Sequence, residues 1–244
     1  MSKSTKNLSS VKIFKVNAGK VNFKRLSLKR TNFERKPSGS YGVAIIDSNE
    51  LKKLLGGRIS GKNLLKMHSK KLNLPKYLYS FISKANDISG ATKAKRIGHL
   101  HVYYNQKKFR SLNEWKNWYN KKHPKAIKEA IDIIYKVMEE GMGVTPRKNL
   151  KKYIRIFVED LVYNKTFTGL KIQEAILKKM AEIKDKTYVW STAKEDSSGI
   201  DGYLGGIPVS IKPNSCQYKK KSGTKRINYS VDKEVGILSF IFSI

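Results

Sequence analysis

Apolar positions fall at helical spacing through the middle of the chain and alternate in twos toward its end. Over residues 41–185 the spacing predicts a mostly helical region. Ser111 with Glu114 has the form of a capping box, and Trp115, Trp118 and Tyr119 follow at helical intervals. Pro124 suits a first helical position, and Ile127, Ala130, Ile131, Ile134 and Met138 then share one face as far as Gly141 and Gly143. Pro146 starts another helix, striped by Leu150, Tyr153, Ile154, Phe157, Leu161 and Val162. These three stripes are read as core. One more helix, over 170–183, turns Ile172, Ile176, Met180 and Ile183 inward.

After about residue 187 the period changes. Tyr188-Val189-Trp190 is a short strand, 200–212 a hairpin, and Leu238, Phe240, Phe242 and Ile244 alternate with Ile237, Ser239, Ile241 and Ser243 as a terminal strand. Strands added to a helical body give an α/β (α+β) fold with a small mixed sheet flanked by helices. At the other end, Val11, Ile13 and Val16, then Val21, Phe23, Leu26 and Leu28, alternate as short strands would, before a loop at Lys36-Pro37-Ser38-Gly39-Ser40. Residues 1–40 carry eleven Lys/Arg against the single acid Glu34, so they form a basic arm, either solvated or laid on phosphates. The expected regions are that arm, a mainly helical stretch over 41–145 and a strand-bearing part over 146–244.

Charge sharpens the picture. Among 244 residues, 51 Lys+Arg stand against 19 Asp+Glu, a net charge of +32. A globular chain tolerates such self-repulsion most easily beside a polyanion, and nucleic acid is the leading partner because neutralised phosphates release counterions. An anionic membrane is the weaker candidate, since no long basic amphipathic helix is evident. The longest apolar stretch, 235–244, is too short to span a bilayer, and residues 1–20 lack an apolar leader. One cysteine, Cys216, leaves no disulfide framework and no cysteine-based zinc site. A cytoplasmic protein is expected.

The hairpin carries the chemistry. Gly205-Gly206 suits a two-residue turn with positive φ, which sets Leu204 against Ile207 and, counting back, Asp201 against Ser210. Lys212 falls on the same face, diagonal to Asp201, while Ile200 and Ile211 point the other way. A carboxylate is a hard ligand for Mg2+, which binds through one or two protein carboxylates, water and substrate phosphate. A neighbouring lysine orients or deprotonates the attacking water and offsets charge growing on phosphate oxygens. The competing account is an ordinary surface hairpin. Between Asp201 and Asp232 there is no acid, while Lys219, Lys220, Lys221, Lys225 and Arg226 follow the hairpin, as a solvated loop or as phosphate contacts, the reading favoured here. Upstream, Glu174 is either an exposed helical glutamate paired with Lys171 or Lys178 or a second metal carboxylate. His99 and His101 would share a face on a strand, but with only His68 and His123 besides, they read as structural and not as zinc ligands.

At Asp201, Ser210 and Lys212, with Glu174 on the preceding helix, the chain resembles the PD-(D/E)xK nucleases. More narrowly it is similar to the MjaI-like type II restriction endonucleases, which recognise the palindrome CTAG. The likeness runs through Glu159-Asp160-Leu161-Val162, Asn164-Lys165-Thr166-Phe167, Gly169-Leu170-Lys171-Ile172-Gln173-Glu174-Ala175-Ile176, Gly199-Ile200-Asp201-Gly202-Tyr203 and Ile207-Pro208-Val209-Ser210-Ile211-Lys212-Pro213. It is fainter at Ala85-Asn86 and from Gly90-Ala91-Thr92-Lys93 to Arg96-Ile97-Gly98. Ile200 stands where the superfamily has proline, and Ser210 where it usually has a second acid, so Glu174, Glu195 or Asp196 would complete the metal shell.

The resemblance implies a PD-(D/E)xK restriction-endonuclease-like core over 146–244 and a recognition and dimerisation region over 41–145. It implies a Mg2+-dependent homodimer that cuts double-stranded DNA to 5'-phosphate ends. No nucleotide cofactor is expected, and the cognate methyltransferase acts as a functional counterpart, not a bound subunit. Asp201, Ser210, Lys212 and Glu174 would be catalytic, with Asp201 and Glu174 on the metal. Lys93, Lys95 and Arg96 form a candidate groove-facing cluster whose competing reading is a solvated loop. The rival functions are a non-catalytic basic nucleic-acid-binding protein of ribosomal or chromatin type, and a junction resolvase or repair nuclease on the same core.

Overall fold

The structure, a computed structural model, describes residues 14–16, 41–143, 149–216 and 223–243. By spatial proximity the chain divides into two compact units, one of residues 1–66 and 175–244, the other of residues 67–174. The boundaries between them cut across the expected ones at 40 and 145.

The first unit is built on a seven-stranded mixed sheet. Its strands are β1 (Phe14–Val16), β2 (Tyr41–Asp47), β3 (Tyr188–Trp190), β4 (Gly202–Leu204), β5 (Ile207–Pro213), β6 (Lys225–Asp232) and β7 (Ile237–Ser243), in the spatial order β1-β2-β7-β6-β5-β4-β3. Neighbours are antiparallel except β5 and β6, which run parallel with Ile211 beside Ile227. The strands expected at 188–190, within 200–212 and at the C-terminal end are all present. Two were not expected. β2 opens the region read as helical; β1 and β7 pair with its two edges, and Val43, Ala44 and Ile46, which occupy both of its faces, are all buried. A strand so placed is a continuous apolar run, without the alternation that marks a half-buried strand. β6 lies where a basic loop was expected, so Lys225 and Arg226 begin a strand.

Helix α1 (Ser48–Leu54) starts at Asp47, whose Oδ1 accepts from the Asn49 and Glu50 amides at 2.8 and 2.9 Å. A carboxylate at that position satisfies two otherwise orphaned donors and complements the helix dipole. Helices α2 (Gly61–His68) and α9 (Thr166–Lys184) each contain a unit boundary. In the first unit α9 buries Ala175, Ile176, Leu177 and Met180. A Cβ on Gly202 would lie 3.2 Å from Leu177 Cδ1 and 2.7 Å from the Val189 carbonyl oxygen, so only glycine lets helix and strands approach this closely.

The second unit is helical: α3 (Leu78–Ser89), α4 (Ala94–Ile97), α5 (Leu100–Lys107), α6 (Leu112–Lys122), α7 (Ala126–Lys136) and α8 (Leu150–Glu159), the last two passing into wider π-helical turns over Val137–Gly141 and Asp160–Lys165. Its core is aromatic. Trp115 is buried with Nε1 donating to Val162 O at 3.0 Å, and the buried Tyr119 hydroxyl donates to Ile97 O at 2.9 Å, so each polar tip is satisfied.

Local expectations need correction here. Ser111 Oγ caps α6 by accepting from Glu114 N, but Glu114 Oε2 accepts from Arg110 N, so the reciprocal half of the box is shifted by one residue. Pro124 lies in the turn before α7, whose N-cap is Lys125. His99 and His101 are not on a strand: His99 caps α5 and His101 is inside it, and residues two apart on a helix point away from each other. Pro146, Lys219, Lys220, Lys221, Ile244 and the basic arm apart from β1 lie outside the described residues.

Candidate active site

The β4–β5 hairpin has the register its glycines impose. Gly205 and Gly206 take φ of 53° and 79°, and Leu204 pairs with Ile207, Tyr203 with Pro208 and Gly202 with Val209. The Asp201 amide donates to Val209 O at 2.9 Å, one residue out of that register because Val209 already pairs with Gly202. Asp201 therefore lies just outside the regular ladder and not squarely opposite Ser210, as the turn had suggested. The face carrying Gly202, Leu204, Val209 and Ile211 is the one Leu177 of α9 contacts at Gly202. Strand alternation puts Ser210 and Lys212 on the other, and the Asp201 carboxylate reaches Lys212 Nζ directly.

Asp201 is only 4% exposed. Its Oδ2 accepts from the Ile211 amide at 2.6 Å and from Lys212 Nζ at 3.0 Å, and its Oδ1 lies 3.1 Å from the same ammonium. Lys212 thus straddles both oxygens of one carboxylate, with its own side chain still 22% exposed. A buried carboxylate needs such a partner, because an isolated charge removed from water is costly. The ammonium sits where the pair meets solvent. Ser210 is buried beside it. The structure therefore brings three of the four expected site residues together.

The parallel register extends this face onto the next strand, with Arg226 beside Ser210 and Asn228 beside Lys212. Arg226 Nε donates to Asn228 Oδ1 and its Nη2 to Cys216 O, both at 2.6 Å, so the guanidinium is held in a fixed orientation. Lys225 is exposed. Asn228 was not singled out from the sequence, though Arg226-x-Asn228-x-Ser230 against Ile227-x-Tyr229-x-Val231 is a plain two-residue alternation. Tyr229 is buried on the apolar side, and burial, then the Asp201 charge, push its phenol well above the usual range and keep it protonated. A cavity of about 280 Å³ lined by Met180, Leu204, Val209, Ile227 and Phe242 lies on that apolar side and contains neither Asp201 nor Lys212.

The remaining acids are each tied locally. In the second unit Glu174 Oε2 accepts from the Tyr104 hydroxyl at 3.2 Å and lies 3.4 Å from Lys171 Nζ, the pairing that helical spacing allows. Lys178 instead donates to Leu54 O. Burial, then the Glu174 charge, raise the Tyr104 phenol, so it remains a donor to that carboxylate. Glu195 forms the capping box of α10 (Ala193–Ser197) with Thr192 and accepts from Tyr203 Oη at 2.6 Å; that hydrogen bond, then those from Thr192, hold its carboxyl below the usual range. Asp196 follows it in the first turn of α10. Among the described residues no group of three or more His, Cys, Asp or Glu gathers as a metal cage. Mg2+ needs none, since one or two carboxylates with water and substrate phosphate suffice, and the hard oxygens of Asp201 fit that role. Lys93, Lys95 and Arg96 are exposed on and around α4 in the second unit.

An α+β architecture that brings an acid, a hydroxyl and a lysine together agrees with a nuclease of the restriction-endonuclease kind. The MjaI restriction endonuclease family matches residues 79–242, a span that takes in Glu174, Asp201, Ser210 and Lys212. The chain is 34% identical over 165 residues to the type II restriction enzyme MthZI of Methanothermobacter thermautotrophicus, covering 68% of this chain and 81% of that one. It is 36% identical over 170 residues to the type II restriction enzyme MjaI of Methanocaldococcus jannaschii, covering 66% and 74%. No solved structure matches. The chain belongs to the MjaI restriction endonuclease family, and its coarse activity is the family's, site-specific cleavage of DNA. That membership decides against a ribosomal or chromatin-type binding protein. Among the described residues no helix is long and apolar enough to cross a membrane.

Proposed function

We propose that the protein is a Mg2+-dependent homodimeric type II restriction endonuclease that cuts both strands of DNA at CTAG and leaves 5'-phosphate ends. The observation that carries the reading is the Lys212 ammonium held 3.0 and 3.1 Å from the two oxygens of Asp201 within the span the family matches. Asp201 would hold the divalent ion, whose chemistry is to polarise a phosphoryl oxygen and offset charge in the transition state, and Glu174 is the second candidate carboxylate. Glu174 is supported by its place in the resemblance and by Tyr104 and Lys171, which keep its carboxylate oriented. Lys212, as an ammonium, orients the water for in-line attack and offsets charge on the phosphate oxygens. Ser210, beside it, donates its hydroxyl to a phosphate oxygen, a role open to serine and closed to the acid usual at that place. Lys225, Arg226 and Lys219 to Lys221 contact phosphates in this reading, as do Lys93, Lys95 and Arg96. A palindrome is most simply read by a two-fold symmetric protein, which is the case for the homodimer.

The test is digestion of plasmid DNA with Mg2+ and with chelator, followed by sequencing of the fragment ends. Discrete fragments that end within CTAG, carry 5'-phosphates and vanish with chelator are expected. Cleavage confined to branched DNA would favour a resolvase on the same core, and cutting undiminished by chelator would remove the metal. Binding should also weaken with salt at a log–log slope of about 0.9 for each phosphate neutralised.

A further inference from the structure

Among the described residues seven large apolar side chains are exposed, and four of them, Tyr77, Tyr79, Phe81 and Ile88, lie on or beside α3 in the second unit. Phe81, Lys84 and Ile88 recur at helical spacings of three and four, an outward stripe that leaves Ile82 and Ala85 buried, and Tyr77 stands at its N-terminal end just before the helix. Tyr77, Phe81 and Ile88 are 65%, 48% and 61% exposed. Apolar side chains aligned on solvent at this spacing mark a contact surface, not scattered surface chemistry.

Tyr77 adds a second observation. It precedes α3 with φ 65° and ψ −17°, a backbone state that non-glycine residues rarely hold, and its side chain makes no capping hydrogen bond. Lys76 Nζ lies 4.8 Å from the centre of its ring. The surroundings are cationic to an unusual degree. Residues 67–113 carry ten Lys/Arg and the single acid Asp87, whereas residues 114–174 carry eight acids among thirteen Lys/Arg. Lys70, Lys71, Lys76 and Lys84 are all exposed.

We infer that this stripe is a DNA-contact surface, with Tyr77, Phe81 and Ile88 laid against sugars and base faces in a groove while Lys76 and Lys84 neutralise the flanking phosphates. Proteins that press apolar side chains into a groove and surround them with cations combine wedge contacts with counterion release in this way. A second copy of the chain is the other occupant such a stripe can take, and charge argues against it. Two-fold pairing through this surface would set Lys76 and Lys84 among their own symmetry mates on a chain of net charge +32. The inference rests on the nuclease reading and adds to it a recognition element outside the catalytic hairpin.

The experiment measures binding of the full-length chain to a short duplex carrying CTAG, with chelator present, together with sedimentation of the free protein. Tyr77→Gly removes the ring and suits the observed φ, so the variant should melt no lower than wild type. With Phe81→Ser in addition, affinity should fall about tenfold per side chain removed while the salt slope stays unchanged, because no charge is lost. Lys76→Ala should instead lower that slope by about 0.9. If wild type binds and cuts DNA and the double variant binds as tightly, the inference is overturned and the nuclease reading stands. If affinity holds but the free protein sediments as a smaller species, the stripe is an interface between copies and the inference is likewise overturned. If wild type neither binds nor cuts, both readings fall.

Discussion

Lys212 Nζ lies 3.0 and 3.1 Å from the two carboxylate oxygens of Asp201, across a hairpin whose turn is two glycines. The pair is asymmetric in exposure, with the acid's side chain at 5% and the lysine's at 22%. Asp201 is thus fixed and buried, while the Lys212 ammonium reaches solvent.

That asymmetry predicts different behaviour for the two truncations. Asp201→Asn is nearly isosteric and its carbonyl oxygen can still accept from the Ile211 amide, so it should fold normally, bind duplex DNA and lose cleavage. Lys212→Ala should reduce the single-turnover rate by about 10²–10⁴-fold with affinity almost intact. It should also lower the melting temperature by a few degrees, because a buried carboxylate is left with fewer partners. Single-turnover cleavage and thermal melts of the two variants check this. Cleavage retained by Lys212→Ala would remove it from the site.

The hairpin was legible in the sequence because a two-residue glycine turn and a strict period of two leave a single register. Pairing between distant strands has no such local signature. Val43, Ala44 and Ile46 of β2 were invisible as a strand, since burial on both faces erases alternation. In β6 the alternation from Arg226 to Val231 was present but overshadowed by the lysine run before it. Its parallel pairing with β5, which brings Asn228 beside Lys212, depends on a crossover that no local pattern encodes. The helical stripes are buried at most positions, with Trp118, Tyr153 and Leu161 only half-buried, whereas His99 and His101 were misplaced because a short segment carries too few positions to separate periods of two and 3.6.

The turn itself can be tested separately from the chemistry. Gly206 has φ 79° and open space where a Cβ would stand, so Gly206→Ala introduces backbone strain without a clash. It should destabilise the protein by about 1–2 kcal/mol, and Gly206→Asn by less, because asparagine tolerates the left-handed region. Gly205→Ala should cost a similar amount, since its Cβ would meet Lys186 Cδ at 2.5 Å but that exposed, flexible side chain can move aside. Denaturant melts rank the three. An alanine at 206 as stable as wild type would mean that the turn is not held as described.

His68 gives the second unit a built-in acid sensitivity. The Thr168 hydroxyl donates to Asn164 O at 2.6 Å, so its oxygen is left to accept from His68 Nδ1 at 3.1 Å, which fixes the neutral Nδ1–H tautomer. Burial, then the charge of Lys165, lowers the imidazole from 6.5 to about 4. Lys165 is held close by donating to His68 O at 2.6 Å. Between those two values the unfolded chain binds a proton that the folded chain refuses. The stabilisation is therefore complete above pH 6.5 and is lost as the pH falls from there toward 4. Allowing for partial exposure of the ring, the loss should be about 2 kcal/mol. Carboxylates elsewhere also destabilise the protein in acid, so the informative quantity is the difference between wild type and His68→Gln, whose amide can keep the bond to Thr168 without titrating. Melts from pH 7.5 to 4.5 should show wild type losing stability more steeply than the variant, and parallel acid limbs would show that His68 is not the group responsible.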